Sequence, residues 1–181
     1  LTPESLPTQL TGALQALYGH YDGVAAKWEN KGHEVPPVFI VVCNNTSTSK
    51  LLFDHIAGYE QDNGYLKPGA LERFSNVDDE GKWRKHPRTI LIDSEQLESG
   101  ETLSADFKKV AAPEIAEFKR DLRERFPERD AEAITDEDLL REVMNTVGKP
   151  GRLGEQVRCV VSVSMLTEGW DANTVTHILG L

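Results

Sequence analysis

The chain has 181 residues, the length of one ordinary domain, and 39% of them are hydrophobic, which is enough for a real core. Twenty basic residues against thirty acidic ones give a net charge of −10, which excludes a free-standing nucleic-acid binder that works by neutralising phosphates. With no signal peptide and no apolar run near 18 residues, we expect a soluble, cytoplasmic protein with no membrane partner.

The first predicted element is an amphipathic helix over residues 6–31, because apolar side chains recur there at spacings of three and four. Three glycines within it predict weak points. Residues 32–37 read as a linker. We therefore expect residues 1–35 to form an N-terminal helix and linker, and residues 36–181 to form the main domain. The apolar stripe of the helix consists of Leu10, Leu14, Leu17, Tyr21, Val24 and Trp28.

A strand–loop–helix unit is predicted next, the usual opening of a βαβ motif. The strand is Val38–Cys43, the polar loop covers residues 44–48, and the helix runs from about residue 49 to residue 57. Asn45 or Ser47 could cap this helix. A helix N-terminus can also bind phosphate, so capping and ligand contact are equally supported here.

Residues 58–88 have little apolar periodicity and predict an irregular insertion, with a short hairpin around Asp79–Gly81. A basic and aromatic cluster closes this region. It could touch a nucleic acid, although a solvated loop with a packing tryptophan is the simpler interpretation. The cluster consists of Trp83, Arg84, Lys85, His86 and Arg88.

The second half again alternates strands and helices. A strand is predicted at Thr89–Asp93, helical material over residues 101–126, and a helix over residues 130–145 in which Thr135 and Asp138 resemble a capping box. A glycine-rich loop at residues 148–154 fails the P-loop pattern. Its Lys149 and Arg152 could contact a phosphate backbone, but a plain helix-to-strand connection is the default. Cys43 and Cys159 are expected to be buried thiols.

The chain closes on a strand, a polar turn and another strand. Val157–Val163 and Val175–Leu179 are apolar and rich in β-branched residues, as in strands that are buried on both faces of a parallel sheet. The whole pattern predicts an α/β fold with a mainly parallel sheet flanked by helices. Loops at the carboxyl ends of such strands bind ligands. The polar turn offers Ser164, Thr167, Glu168, Gly169 and Asp171.

This turn carries a resemblance. The string S-V-S-M-L-T-E-G-W-D-A-N-T-V-T-H at residues 162–177 resembles motif V of superfamily 2 helicases and translocases. The residues of this string are most similar to those of the Res subunit of type III restriction enzymes and of related DEAD/DEAH-type bacterial proteins. Trp170 stands where many relatives have a small aliphatic residue, which suits the restriction-type group. The strand and loop at residues 38–46 resemble motif IV.

The resemblance implies the second RecA-like domain of an ATP-dependent DNA helicase or translocase. Residues matching Walker A, D-E-x-H or D-E-A-D are absent from the sequence, and so is the Q-x-x-G-R-x-x-R string of motif VI. We therefore expect a fragment of a longer protein, cut before motif VI, which contains no catalytic residue and does not hydrolyse ATP alone. Nothing in it resembles a PD-(D/E)xK nuclease centre, so any endonuclease activity would lie elsewhere in the parent.

Site residues follow from the resemblance by position. Gly169 and Asp171 match the part of motif V that approaches ATP, and Asp171 would accept a ribose hydroxyl. Thr167 and Glu168 would couple nucleotide to nucleic acid. The full-length protein would use ATP and Mg²⁺, with none bound to the fragment. Its partners would be double-stranded DNA, the first RecA-like domain of the same parent chain and a methyltransferase subunit. The nucleic-acid-binding candidates are Asn44, Asn45, Thr46 and Ser164.

Two other interpretations stay open. A catalytically inert α/β module that binds a nucleotide or a protein fits the net charge, and every polar residue above also has a packing explanation. A stand-alone doubly wound enzyme ranks last, because no G-x-G-x-x-G turn is present. The scattered histidines show no metal-ligand spacing.

Overall fold

The computed structural model describes residues 1–92, 112–163 and 173–181. The fold is mixed α/β, as predicted: an N-terminal helix comes first, and a parallel four-stranded sheet is flanked by helices, consistent with a RecA-like arrangement. The described helices are α1 (Thr8–Asn30), α2 (Thr46–Ala57), α3 (Ala112–Arg125) and α4 (Asp136–Asn145). The described strands are β1 (Val38–Cys43), β2 (Gly58–Glu60), β3 (Leu66–Pro68), β4 (Thr89–Ile92), β5 (Cys159–Val163) and β6 (Val175–Gly180).

The main sheet has the strand order β4-β5-β1-β6, and all of its neighbours pair in parallel. Side chains alternate between the two faces of a strand, and β1 shows this directly. Phe39, Val41 and Cys43 pack into one hydrophobic cluster with α1 and α2. Val38 and Ile40 pack into a second cluster with α4 and residues 147–157. Because both faces are covered, β1 is apolar throughout. Strand β6 lies at the edge of the sheet and exposes Thr176 and Ile178, so it is not buried on both faces as its sequence suggested.

Helix α1 is continuous through Gly12, Gly19 and Gly23, so the predicted weak points do not break it. Packing compensates for their low helix propensity. Leu14 and Tyr21 are fully buried, and the Tyr21 hydroxyl donates a 2.6 Å hydrogen bond to the Pro37 carbonyl. Burial raises the pKa of Tyr21. The phenol therefore stays neutral and anchors α1 to the chain that leads into β1.

The segment over residues 58–88 is more ordered than the sequence predicts. Strands β2 and β3 form an antiparallel hairpin, and Leu71 and Phe74 are completely buried in the core. The predicted turn at Asp79–Gly81 is confirmed, because Val77 and Trp83 form a bridge across it. Three-residue strands that end in glycine and proline have too little β propensity to be found from sequence.

The starts of α4 and β5 differ from prediction, and side-chain caps explain the first difference. Helix α4 begins at residue 136 rather than 130, because Thr135 and Asp138 form the reciprocal capping box that the sequence predicted. Asp130 instead caps a separate short turn by accepting a 2.9 Å hydrogen bond from the Glu132 amide. Strand β5 begins at Cys159 rather than Val157. No helix in the part of the chain that the structure describes is long and apolar enough to span a membrane.

Helix α1 meets the edge strand β6 through two histidines. His20 Nδ1 and His177 Nε2 lie 2.7 Å apart, so one ring must donate the shared proton and the other must accept it. The other ring nitrogen of His177 lies 2.7 Å from the Thr176 hydroxyl, and the ring stacks on Phe39. Burial first, and the proximity of His20 second, lower the pKa of His177.

This pair predicts a loss of stability in mild acid. Because the pKa of His177 is lower in the folded state than its unfolded value of about 6.5, only the unfolded chain takes up this proton just below pH 6.5. The free energy of unfolding should therefore fall from that pH downward, by at most about 1.4 kcal/mol per pH unit. Urea unfolding between pH 7.5 and pH 5.5 measures this slope.

His177→Gln should flatten that slope, whereas His33→Gln, at an exposed position, should leave it unchanged. An equal slope in the wild type and in His177→Gln would contradict the assignment to His177.

Candidate functional site

The carboxyl edge of the sheet is where the sequence predicts the functional site. In the parallel register Cys43 pairs with Val163, and these are the last residues of β1 and β5. Strands β1 and β5 therefore end side by side on the same edge of the sheet. Strand β4 ends there as well, since Ile92 pairs with Ser162. The remaining motif V candidates fall outside the described residues: Ser164, Thr167, Glu168, Gly169 and Asp171.

The loop after β1 is shorter than predicted. Helix α2 begins at Thr46, about three residues earlier than expected, so Thr46 belongs to the first helical turn rather than to a loop. Asn45 sets this start, because its side-chain oxygen accepts a 2.8 Å hydrogen bond from the Thr48 amide. Serine and threonine are tolerated in a first turn that is capped in this way.

Asn44 and Asn45 also contact each other. The Asn45 amide nitrogen donates a 2.7 Å hydrogen bond to the Asn44 side-chain oxygen, and both residues are exposed. Their amides thus face solvent beside the N-terminus of α2, where the partial positive charge of the helix favours an anion. Asn45 has a structural role as a cap, while Asn44 has free hydrogen-bonding capacity to offer a ligand.

Neither cysteine is a nucleophile. Both thiols are free and buried, as predicted. Burial raises the pKa of Cys43 to about 11 and raises that of Cys159 further. Since the thiolate is the reactive form, both side chains behave as small apolar groups in the sheet. In the described residues, no group of three or more His, Cys, Asp or Glu side chains is arranged to hold a metal ion.

The basic glycine-rich loop is a connection between α4 and β5, the default interpretation of its sequence. The Arg152 guanidinium makes 3.0 Å hydrogen bonds to Asp121 and to Glu142. The hydrogen bond to Glu142, followed by that to Asp121, accounts for the raised pKa of Arg152. Arg152 therefore links α3 to α4.

The basic cluster at residues 83–88 lies toward the opposite, amino edge of the sheet, because Arg88 directly precedes β4. Arg84 Nε donates to the Ser75 carbonyl at 3.1 Å, and Arg88 Nη1 donates to the Glu72 carbonyl at 3.4 Å. Trp83 is 47% exposed, so it is not the packing tryptophan that the sequence suggested. This cluster is therefore separated from Asn44 and Asn45 by the length of the strands.

Sequence reasoning missed Arg73 and Arg158, which join that group. The Arg158 amide donates a 2.8 Å hydrogen bond to the Arg88 carbonyl, and Arg158 Nη1 donates to the Arg73 carbonyl at 3.4 Å. We name Arg73, Arg84, Arg88 and Arg158 the arginine cluster. One signal was present in the sequence: an arginine stands at the beginning of each of two predicted strands.

Comparison of the chain with models of protein families, with curated proteins and with solved structures found no match. The assignment of function therefore depends on the residues of this chain and on their arrangement at the two edges of the sheet.

The capping role of Asn45 predicts a specific pair of mutational effects. Asn45→Ala should lower the free energy of unfolding by about 1 kcal/mol, because the Thr48 amide loses its acceptor. Asn45→Asp should preserve stability, since a carboxylate caps equally well and suits the helix dipole. Urea unfolding followed by circular dichroism measures both. Asn44→Ala serves as the neighbouring control; a loss equal to that of Asn45→Ala would mean that the cap is not the cause.

Proposed function

We propose that the chain is the second motor domain of an ATP-dependent DNA translocase, related to the Res subunit of type III restriction systems. The observation that supports this most is the register in which Cys43 pairs with Val163. Because of this register, the loop that resembles motif IV follows one strand end in sequence, and the stretch that resembles motif V follows the neighbouring strand end. A motor needs these two segments at one edge, because one contacts the nucleic acid and the other also faces the nucleotide.

In this proposal Gly169 lets the nucleotide approach the backbone and Asp171 accepts a ribose hydroxyl. Asn44, Thr46 and Ser164 present neutral donors to the phosphates of duplex DNA. Thr167 and Glu168 lie between the two ligands in sequence and transmit the state of one to the other. ATP and Mg²⁺ would be held mainly by a first RecA-like domain in the parent chain, which supplies the phosphate cradle that this sequence lacks.

The charge of the chain agrees with a subordinate role in DNA binding. A net charge of −10 opposes diffuse attraction to a polyanion, so most of the affinity would come from other parts of the parent. A separate nuclease domain and a methyltransferase subunit would supply cleavage and site recognition in a type III system.

A catalytically inert α/β module is the second candidate. Two observations favour it: Asn45 is already used as a helix cap, and Arg152 is already held by two carboxylates. Such a module needs neither ATP nor DNA, so an activity assay separates the two candidates.

The decisive measurement is ATP hydrolysis by the parent protein with and without duplex DNA. We expect duplex DNA to stimulate hydrolysis, and Asp171→Ala to lower kcat/KM for ATP by about tenfold or more, as when a hydrogen bond to a charged group is lost. Asp62→Ala, at an exposed position in the β2–β3 hairpin, is the matched control and should leave kcat/KM unchanged.

The 181-residue chain alone should show no turnover, because the phosphate cradle and an arginine finger, which can contribute about 10³–10⁵ in rate, are missing from its sequence. If neither duplex DNA nor the Asp171→Ala change alters the rate of ATP hydrolysis, in a protein that remains folded, the result would favour the inert module.

A further inference from the structure

A cleft opens at the amino edge of the sheet, between the second half of α1 and the chain that enters β1 and β5. Its volume is about 180 Å³, which is below the range of about 300–1,000 Å³ typical of sites for drug-sized ligands. The cleft therefore suits a group the size of a single phosphate or sulfate. Its charged and ionisable lining residues are Tyr21, Glu29, His33, Glu34, Arg73 and Arg158.

Arg158 lines this cleft and is incompletely hydrogen-bonded. Its Nε atom is buried and has no hydrogen-bond partner among the described residues, while its Nη1 atom makes only a long, 3.4 Å bond to the Arg73 carbonyl. Leaving a buried charged donor unsatisfied is costly, and such donors usually mark a ligand or an ion.

The surroundings of Arg158 carry an excess of positive charge. Thr89 pairs with Cys159 in the parallel register, so Arg88 and Arg158 enter neighbouring strands side by side, about 4.8 Å apart along the sheet. Arg84 and Arg88 donate to backbone carbonyls. Within residues 1–92, 112–163 and 173–181, no carboxylate lies within salt-bridge distance of Arg84, Arg88 or Arg158.

Two carboxylates, Glu29 and Glu34, line the cleft, and Glu29 is paired with Arg73. Asp22 and Glu29 bind Arg73 at 2.5 and 2.6 Å, and Glu34 is exposed. Burial, with the neighbouring Arg158 second, lowers the pKa of Arg88 to about 10. The cluster thus contains several guanidinium groups that repel one another, in a chain that is otherwise acidic.

We propose that this cleft is a binding site for a phosphate-type oxyanion, anchored by the Arg158 guanidinium and supported by the positive charge of the neighbouring Arg88. A guanidinium presents its donors in a planar fork that matches two oxygens of a phosphate. The bound anion would pair with the guanidinium of Arg158, which lines the cleft, and offset its repulsion with Arg88. The site lies at the amino edge and is independent of the proposed motor function, which depends on the carboxyl edge.

The test uses the 181-residue chain and inorganic phosphate as the probe. Thermal unfolding is followed while phosphate replaces chloride at constant ionic strength, and binding is measured in parallel by calorimetry. We expect the Tm of the wild type to rise saturably with phosphate. Arg158→Gln should weaken phosphate binding by about tenfold or more, the loss of one hydrogen bond to a charged group. Phosphate also stabilises proteins generally by exclusion, so the difference between variants is the informative quantity.

Arg120→Gln is the matched control, because Arg120 is 64% exposed on α3 and makes only a surface contact with Glu117. It should bind phosphate like the wild type. Arg158→Lys keeps the charge but loses the fork, and should bind with intermediate affinity. Should Arg158→Gln fail to fold, the wild-type isotherm and the lysine variant decide. Absence of saturable binding by the wild type, or equal binding by a folded Arg158→Gln or Arg158→Lys variant, would overturn the proposal.

Competition identifies the source of the phosphate. A short DNA duplex and a nucleoside monophosphate are each titrated against bound inorganic phosphate. Displacement by the duplex assigns the site to a nucleic-acid backbone, and displacement by the monophosphate alone assigns it to a small ligand. Failure of all three anions to bind rejects the site and leaves the translocase proposal untouched, because DNA-stimulated ATP hydrolysis is measured separately.

Discussion

The parallel pairing of β1 with both β5 and β6 is the constraint on which the rest of the structure depends. Parallel neighbours cannot be joined by a tight turn and need a crossover connection, usually a helix. Helices α1 and α2 cover one face of the sheet and α4 covers the other, so β1 is buried on each side. Because parallel strands run in the same direction, the residues that follow strands meet at one edge of the sheet, and the residues that precede strands meet at the other. The positions of the polar loops and of the arginine cluster therefore both result from the parallel arrangement of the strands.

At the amino edge, side chains also donate hydrogen bonds to the backbone carbonyls of a segment that has little regular structure. Carbonyl groups from residue 72 to residue 75 accept hydrogen bonds from Arg84, Arg88 and Arg158 and, at 2.7 Å, from the Thr89 hydroxyl. The buried side chain of Asn76 bridges to the start of β4. Arginine suits this position because it offers five N–H donors, and binding one carbonyl leaves others free. The structural role of these residues and their capacity to hold an anion are therefore compatible.

Much of this fold was predictable because its strands and caps are local signals. The run Val38–Cys43 is apolar and rich in β-branched residues, and it forms a strand with the predicted bounds. Thr135 and Asp138 form a capping box that can be recognised from their spacing alone. The start of α2 was placed too late, since serine and threonine have weak helix propensity and only the cap at Asn45 shows that the turn is helical.

The arginine cluster could not be predicted in the same way. It needs the strand order, because Arg88 and Arg158 become neighbours only when β4 and β5 pair. No local pattern states that two strands so far apart in sequence will lie side by side. The residues that resemble motif V differ in this respect. Their sequence carries the resemblance, and the structure describes only the strand end at Val163 that precedes them.

The distribution of charge connects the two edges. If the chain works on DNA as proposed, its net charge of −10 rules out holding the duplex through many ion pairs. The candidate donors at the carboxyl edge, Asn44 and Thr46, are neutral and short, and they stand beside a helix N-terminus. Each neutral contact releases few counterions, so it adds little to the salt-dependent affinity that binds cationic proteins tightly to DNA. A motor domain must release its track in every cycle, and weak neutral contacts at one edge permit that release. Positive charge is instead concentrated at the opposite edge, where the cleft beside Arg158 has the size of a single oxyanion group.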